Sequence, residues 1–325
     1  MTELQQDPIA AGLLVDVEGT RLDHSPKLSN TKEFNSLLSL LDDPDVRVAE
    51  AVVDRLRSMG SVVFDPLLDF LLHTSDELAQ FRASSVIRKL NEDRLAKEFV
   101  VLSKRLDWGD PRALEDGAFL IARYGYPRLD VERYRVELSA LAGMLRQAIS
   151  GVHSPLEMLA ITNDFFFEKQ RFRGNQSSFL EADNSYLNRV LDRKIGIPIS
   201  LAVLYLLVAR MRVGLPFSGS SAPGHFLVRF DGTMDEPLFI DAFNGGVVLR
   251  KRDIKRFLDA SQLSFNEAFL EPAEDRAILL RMMRNLILVF GEAHDTVAQC
   301  AFERFVRSIT PNPNLDNLLT EDIDE

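Results

Sequence analysis

Three side chains in this sequence are of the types that acyl chemistry requires: a hydroxyl at Ser200, an imidazole at His225 and a carboxylate at Asp241. A carboxylate that fixes the tautomer of an imidazole makes the ring a general base, and such a base beside a hydroxyl makes a nucleophile. Each residue also has a structural reading. His225 can be a strand-edge histidine satisfied by hydrogen bonds. Asp241 opens the phrase DAFNGG, and aspartates bond backbone groups two residues on, so it can start a turn. Ser200 can cap a helix, with its oxygen taken by backbone N–H groups, and its surroundings, GIPIS, lack a Gly-x-Ser-x-Gly elbow. Gly224, just before His225, permits close backbone approach. Asn184, Asn188, Pro198 and Asn244 complete a set that can line a cleft, the amides holding a peptide backbone or serving local turns and caps.

The elements that must position these groups are legible around them. Leu201 to Ala209 is apolar on every side, so a helix there has to be wrapped by protein all round. The run falls short of the roughly 20 apolar residues a bilayer requires, and Arg210 and Arg212 close it. His225 to Phe230 and Leu238 to Asp241 have strand length and composition, joined by the turn-rich DGTMDEP. A buried helix followed by an antiparallel hairpin results. In such a pair His225, opening one strand, lies beside Asp241, closing the other. A nucleophile at the start of a buried helix gains from the helix dipole, as a thiolate would. That position here, Gly196 to Ser200, holds no cysteine.

NSYLNRVLDRKIGIPISL, PGHFLVRF and FIDAFNGG together resemble the SirB-type branch of the transglutaminase-like superfamily. Asn184, Ser185, Leu187, Asn188, Gly196, Pro198, Ser200, Pro223, Gly224, His225, Asp241, Asn244 and Gly245 all match its pattern, and Lys194 stands where the pattern has arginine. Weaker similarity extends through FLIARYGYPRLD from about Ala118, FRGN at 172 to 175, and RMMRNL at 281 to 286. The resemblance covers somewhat more than half the chain. It implies a cysteine-protease-like fold in which His225 matches the general base, within a branch that generally lacks the catalytic cysteine. Two functions follow as expectations. One is a non-catalytic protein-binding or regulatory protein that uses the remnant cleft. The other is an acyl-transfer or hydrolytic enzyme using Ser200, His225 and Asp241.

Composition narrows the partners. The chain has 325 residues, 46% hydrophobic and 27% charged, with a formal net charge of −11. Size and composition suit a soluble globular protein of two domains. The acidic balance argues against nucleic acid as a partner, and no membrane segment is read, leaving an unknown protein or peptide. Arg250, Lys251, Arg252, Lys255 and Arg256 form a basic run with the spacing of a solvated helix face. A single cysteine, Cys300, forms no internal disulfide, and the N-terminus shows no secretory pattern, so a cytoplasmic location is expected. Cys300 lies in VAQCAFERF and reads as a small buried hydrophobe. No metal-ligand spacing, Walker loop or GxGxxG motif occurs, so no cofactor is expected.

Taken in order, residues 1–28 read as a loose polar segment. Residues 29–108 read as a HEAT-like helical layer, 109–309 as the SirB-type domain with C-terminal helices, and 310–325 as an acidic tail. Asn30 and Glu33 have capping-box spacing ahead of an apolar stripe, Phe34, Leu37, Leu38 and Leu41. Asp43-Pro44, Asp65-Pro66 and Asp110-Pro111 read as helix starts. Helices are predicted at Val46 to Met59, Pro66 to Leu72, Ser75 to Leu90, Arg94 to Leu106 and Arg112 to Tyr124. Repeats of this kind stack on a neighbour, so the layer is expected to dock on the following part, with Trp108 in the seam. Pro155 to Lys169 is predicted helical, with Leu156, Leu159, Ala160, Phe166 and Phe167 on one face and only Asn163 interrupting it. The fold class is α+β, mostly helical: the helical layer, then a buried helix packed on a small antiparallel sheet.

Overall fold

The computed structural model describes residues 31–232 and 236–310. The capping residue Asn30, the loose segment 1–28 and the acidic tail from 311 fall outside these. Two compact units are distinguished: the described part of Met1–Glu98 with Arg123–Leu129, and Phe99–Ala122 with the described part of Asp130–Glu325.

The first unit is helical. It comprises α1 (Thr31–Leu38), α2 (Val46–Met59), α3 (Phe64–His73) and the N-terminal part of α4 (Glu77–Asp107). Their apolar faces close over Leu41, Leu56, Val63, Leu67, Leu68 and Ile87. Asp45, not Asp43, caps α2, its side chain accepting from the Arg47 N–H at 2.9 Å. The 31-residue α4 runs through Asn91-Glu92-Asp93, where polarity had suggested a break. Asn91 is fully buried and donates to the carbonyls of Arg123 and Tyr124, so its side chain ties down another helix end and does not interrupt its own.

The second unit is mostly helical around a four-stranded antiparallel sheet, an α+β arrangement. Beyond α5 (Ala113–Gly125) come α6 (Val131–Ala148), α7 (Pro155–Asn163) and α8 (Leu187–Arg193). The buried α9 (Pro198–Tyr205) is extended by a π turn over Leu206–Val213. Every residue from Pro198 to Ala209 is buried. Each large aliphatic side chain so placed contributes about 1.5–3 kcal/mol relative to leaving it exposed. The π turn ends in ion pairs, Arg210 to Asp275 at 2.8 Å and Arg212 to the buried Glu115 at 2.7 Å.

Two short strands, β1 (Arg173–Gly174) and β2 (Ile195–Gly196), pair in parallel. The main sheet has the order β3 (Phe217–Ala222), β4 (His225–Phe230), β5 (Leu238–Asp241), β6 (Val247–Leu249). In β4 and β5 the register sets Val228 opposite Ile240 and Phe230 opposite Leu238. One face of the sheet packs on α10 (Lys251–Ala260) through Leu227, Phe239, Ile254 and Leu258. Helices α11 (Asp275–Glu292) and α12 (Thr296–Ile309) follow. Among the described residues no helix is long and apolar enough to cross a membrane.

Three expectations are corrected here. Trp108 is 80% exposed, so it fills no buried seam. Cys300 is exposed because the buried face of α12 is Ala298, Ala301, Phe302, Phe305, Val306 and Ile309. After α7 the backbone forms a π turn over Asp164–Lys169, which inserts an extra residue per turn and rotates the face. Leu156 and Ala160, ahead of that turn, are exposed, while Leu159, Thr162, Phe165 and Phe166 form the buried face.

Candidate functional site

At the front of the central helix, Ile197 is extended and Pro198 is the first helical residue, where its missing N–H costs nothing. Ser200 occupies the third helical position. Its oxygen accepts the Ile197 N–H at 3.0 Å, and its hydroxyl donates to the Asn184 carbonyl at 2.6 Å. It is completely buried. Gly196 is required by this closure, since a Cβ there would lie 2.6 Å from the Ser200 oxygen. Ser200 is thus fixed between two backbone segments. An attacking oxygen needs a base for its proton, and here the hydroxyl proton goes to a backbone carbonyl.

Asn184 is likewise structural in its bonding. Its amide donates to the Ser178 carbonyl at 2.7 Å and accepts from Asn175 at 3.1 Å, while Asn175 in turn accepts from the Ser178 N–H. This asparagine pair folds the 175–179 segment. Asn188, in the first turn of α8, is buried, and its carbonyl oxygen has no hydrogen-bond partner among the described residues.

The other half of the constellation lies at the end of the sheet. Pro223-Gly224 turns β3 into β4, with Ala222 opposite His225, and Gly224 adopts φ +67°, a conformation glycine takes without strain. His225 Nε2 and Asp241 Oδ2 are 2.8 Å apart. Both readings of Asp241 hold at once. Oδ1 accepts the N–H groups of Phe243 and Asn244 at 3.1 and 3.0 Å, and Oδ2 also accepts the Asn244 amide at 2.7 Å. Burial pushes the Asp241 carboxyl up, but the hydrogen bond and charge of His225 and the Asn244 donors more than offset it, holding it below its ordinary value. With Nε2 turned to the carboxylate, Nδ1 is the nitrogen left to accept a proton, and it has no protein hydrogen bond among the described residues. Phe257 of α10 stands beside the ring, centroid to centroid 6.0 Å.

A cleft of about 540 Å³ is lined by Arg173, Asn175, Gln176, Phe243, Asn244 and neighbouring backbone; Asn244, which bonds Asp241, links it to the pair, and neither His225 nor Asp241 lines it. Of the cleft candidates read from the sequence, Asn244 lines it, whereas Asn184, Asn188, Pro198 and Gly224 do not. Gly174 makes the wall possible: a Cβ there would lie 2.5 Å from the Phe243 carbonyl oxygen. Asn163, read only as a polar interruption, joins the central helix to the site, accepting from the Tyr205 hydroxyl at 3.0 Å and donating to the Gly246 carbonyl at 2.8 Å. The one signal for it was an amide in an otherwise apolar helical face. Asn175 and Arg173 sit in the FRGN phrase, which sequence reasoning noted only as a similarity.

A buried helix, a four-stranded antiparallel sheet and a histidine–aspartate pair at the sheet's end define a transglutaminase-like domain, and the sequence signature of the transglutaminase-like superfamily matches residues 132–284. A UPF0162 protein of Xylella fastidiosa is 37% identical over 205 residues, covering 60% of this chain and 72% of that one. The chain belongs to the UPF0162 family. A UPF0162 protein of Vibrio cholerae is 26% identical over 139 residues, covering 43% of this chain and 51% of that one. F-box only protein 21 of Homo sapiens is 23% identical over 237 residues, covering 64% of this chain and 37% of that protein. No solved structure matches.

Proposed function

We propose that this chain is a non-catalytic, SirB-type member of the transglutaminase-like superfamily, whose remnant cleft binds a segment of another protein in extended form. The commitment of the Ser200 hydroxyl to Asn184 and Ile197 carries the reading, because it occupies the candidate nucleophile while the cleft beside Asn244 stays open. Thiolates are nucleophilic near neutral pH, whereas a serine depends wholly on its base and an oxyanion site. The helices of the first unit, HEAT-like in this reading, add binding surface. The similarity to F-box only protein 21 covers only 37% of that protein, which accords with a domain that also serves as one module of a longer chain.

A second reading is favoured by one observation, the intact His225–Asp241 pair with its free Nδ1. In that case the base activates a water for hydrolysis, and Ser200 takes no part. A fluorophosphonate probe separates binding from serine chemistry. We expect no Ser200-dependent labelling, and labelling of the wild type that Ser200→Ala abolishes would overturn the binding reading.

A further inference from the structure

We infer that the cleft beside Asn244 recognises a carboxylate on an extended peptide, with Arg173 as the cation that receives it; the inference rests on the cleft being a peptide site. The chain as a whole carries a net charge of −11, which disfavours an anionic ligand unless the local field is of the opposite sign. Locally it is. The residues lining the cleft include Arg173 and no acidic side chain. Arg173 is exposed and makes no ion pair among the described residues, although many of the chain's arginines are paired. Asp241, which bonds the rim residue Asn244, has both oxygens occupied by His225, Asn244 and backbone N–H groups and makes no ion pair with Arg173.

The geometry adds selectivity to the charge. Arg173 is held on β1, where its N–H donates to the Lys194 carbonyl at 3.0 Å, and the next residue, Gly174, is pressed against Phe243. The guanidinium therefore stems from a fixed strand, and a planar fork of donors matches a carboxylate in two-point fashion. Across the cleft the exposed Asn244 and, on the same segment as Arg173, Gln176 and Ser177 offer amide and hydroxyl groups for a peptide backbone. Phe179, 44% exposed and edge-on to Phe243 at 6.1 Å, provides an apolar shelf for a neighbouring ligand side chain.

The test is selection of a displayed random octapeptide library on the immobilised full chain. Wild type is expected to enrich Asp and Glu over Asn and Gln by about tenfold, the order expected of a charge-assisted hydrogen bond. In Arg173→Gln the enrichment should fall to near unity, and Arg173→Lys should keep part of it. Thermal melting should be unchanged in both variants, since the residue is exposed. Peptides retained without acidic enrichment, or an enrichment indifferent to Arg173→Gln, would overturn the carboxylate assignment and leave the peptide cleft standing. Retention of no peptide by wild type would overturn both.

Discussion

The front of the central helix and the end of the sheet hold the two halves of the candidate constellation, and they are bonded differently. At the helix, the oxygen of Ser200 is sealed in, bonded on both sides to backbone and pressed by Gly196. At the sheet, the His225–Asp241 pair keeps a 2.8 Å contact and leaves one ring nitrogen free, while Asn244, bonded to Asp241, lines an open cleft. A polar group turned wholly inward is a stability element; one that keeps an unspent valence is open to a further partner. The same contrast divides the asparagines, with Asn184 buried in a loop-folding pair and Asn244 exposed on the rim.

The contrast breaks most directly at Ser200. Ser200→Ala removes one acceptor and one donor at once, leaving the Ile197 N–H and the Asn184 carbonyl unpaired in a dry interior. We expect a loss of about 2–4 kcal/mol in denaturant-unfolding stability, since each stranded buried group costs roughly 1–3 kcal/mol. A loss below about 0.5 kcal/mol would mean that the hydroxyl is not the structural lock described.

Much of this was legible because hydrophobic pattern fixes where elements begin and end. The uninterrupted apolar run of Leu201 to Ala209 gave a helix buried all round, and the strands His225–Phe230 and Leu238–Asp241 have the bounds their composition suggests. What escaped was set by partners distant in sequence. Asn91 reads as a helix break until its bonds to Arg123 and Tyr124 are seen, and Asn163 reads as noise until Tyr205 and Gly246 close on it. The π turn after Asn163 has no periodic signature, and of the face predicted for Pro155 to Lys169, Leu159 and Phe166 are buried while Leu156 and Ala160 are exposed. Ser200 was ambiguous for the same reason, because capping and catalysis both place a hydroxyl in the first turn.

At the sheet, the expected effects are smaller and depend on pH. Asp241→Asn keeps the shape but removes the charge that holds His225, and should cost about 1–2 kcal/mol near neutrality. The folded Asp241 carboxyl titrates below its ordinary value, so its contribution to stability is fully present above the ordinary carboxylate range near pH 4. It is lost as pH falls through the lower folded value. Unfolding free energy followed from about pH 5 to 2 should therefore decline less steeply in Asp241→Asn than in wild type. Equal slopes would remove Asp241 from the balance.

Tyr205→Phe sharpens the comparison further, because Tyr205 belongs to the helix while its partner Asn163 reaches toward the sheet's end. Losing the 3.0 Å bond from its hydroxyl to Asn163 should cost about 1 kcal/mol, with the stacking of the ring on Phe166 kept. If the link also steadies the Asp241–Gly246 turn, hydrogen exchange should quicken at Gly246, whose N–H donates to the Asp241 carbonyl at 2.8 Å. Unchanged exchange there would show that the turn stands without the helix.

The smallest stability effect is expected at His225, and it is the most informative about use. The ring is partly exposed, and removing it in His225→Ala leaves Asp241 with its Asn244 and backbone donors, so the loss should stay below about 1 kcal/mol. On the binding reading proposed above, the buried carboxylate holds the ring in place for a ligand. His225→Ala should accordingly weaken binding of a library-selected peptide, measured by fluorescence anisotropy, far more than it lowers the melting temperature. A variant that melts several degrees lower but binds that peptide as wild type does would place His225 with Ser200 among the structural groups, and the contrast between the two ends of the constellation would disappear.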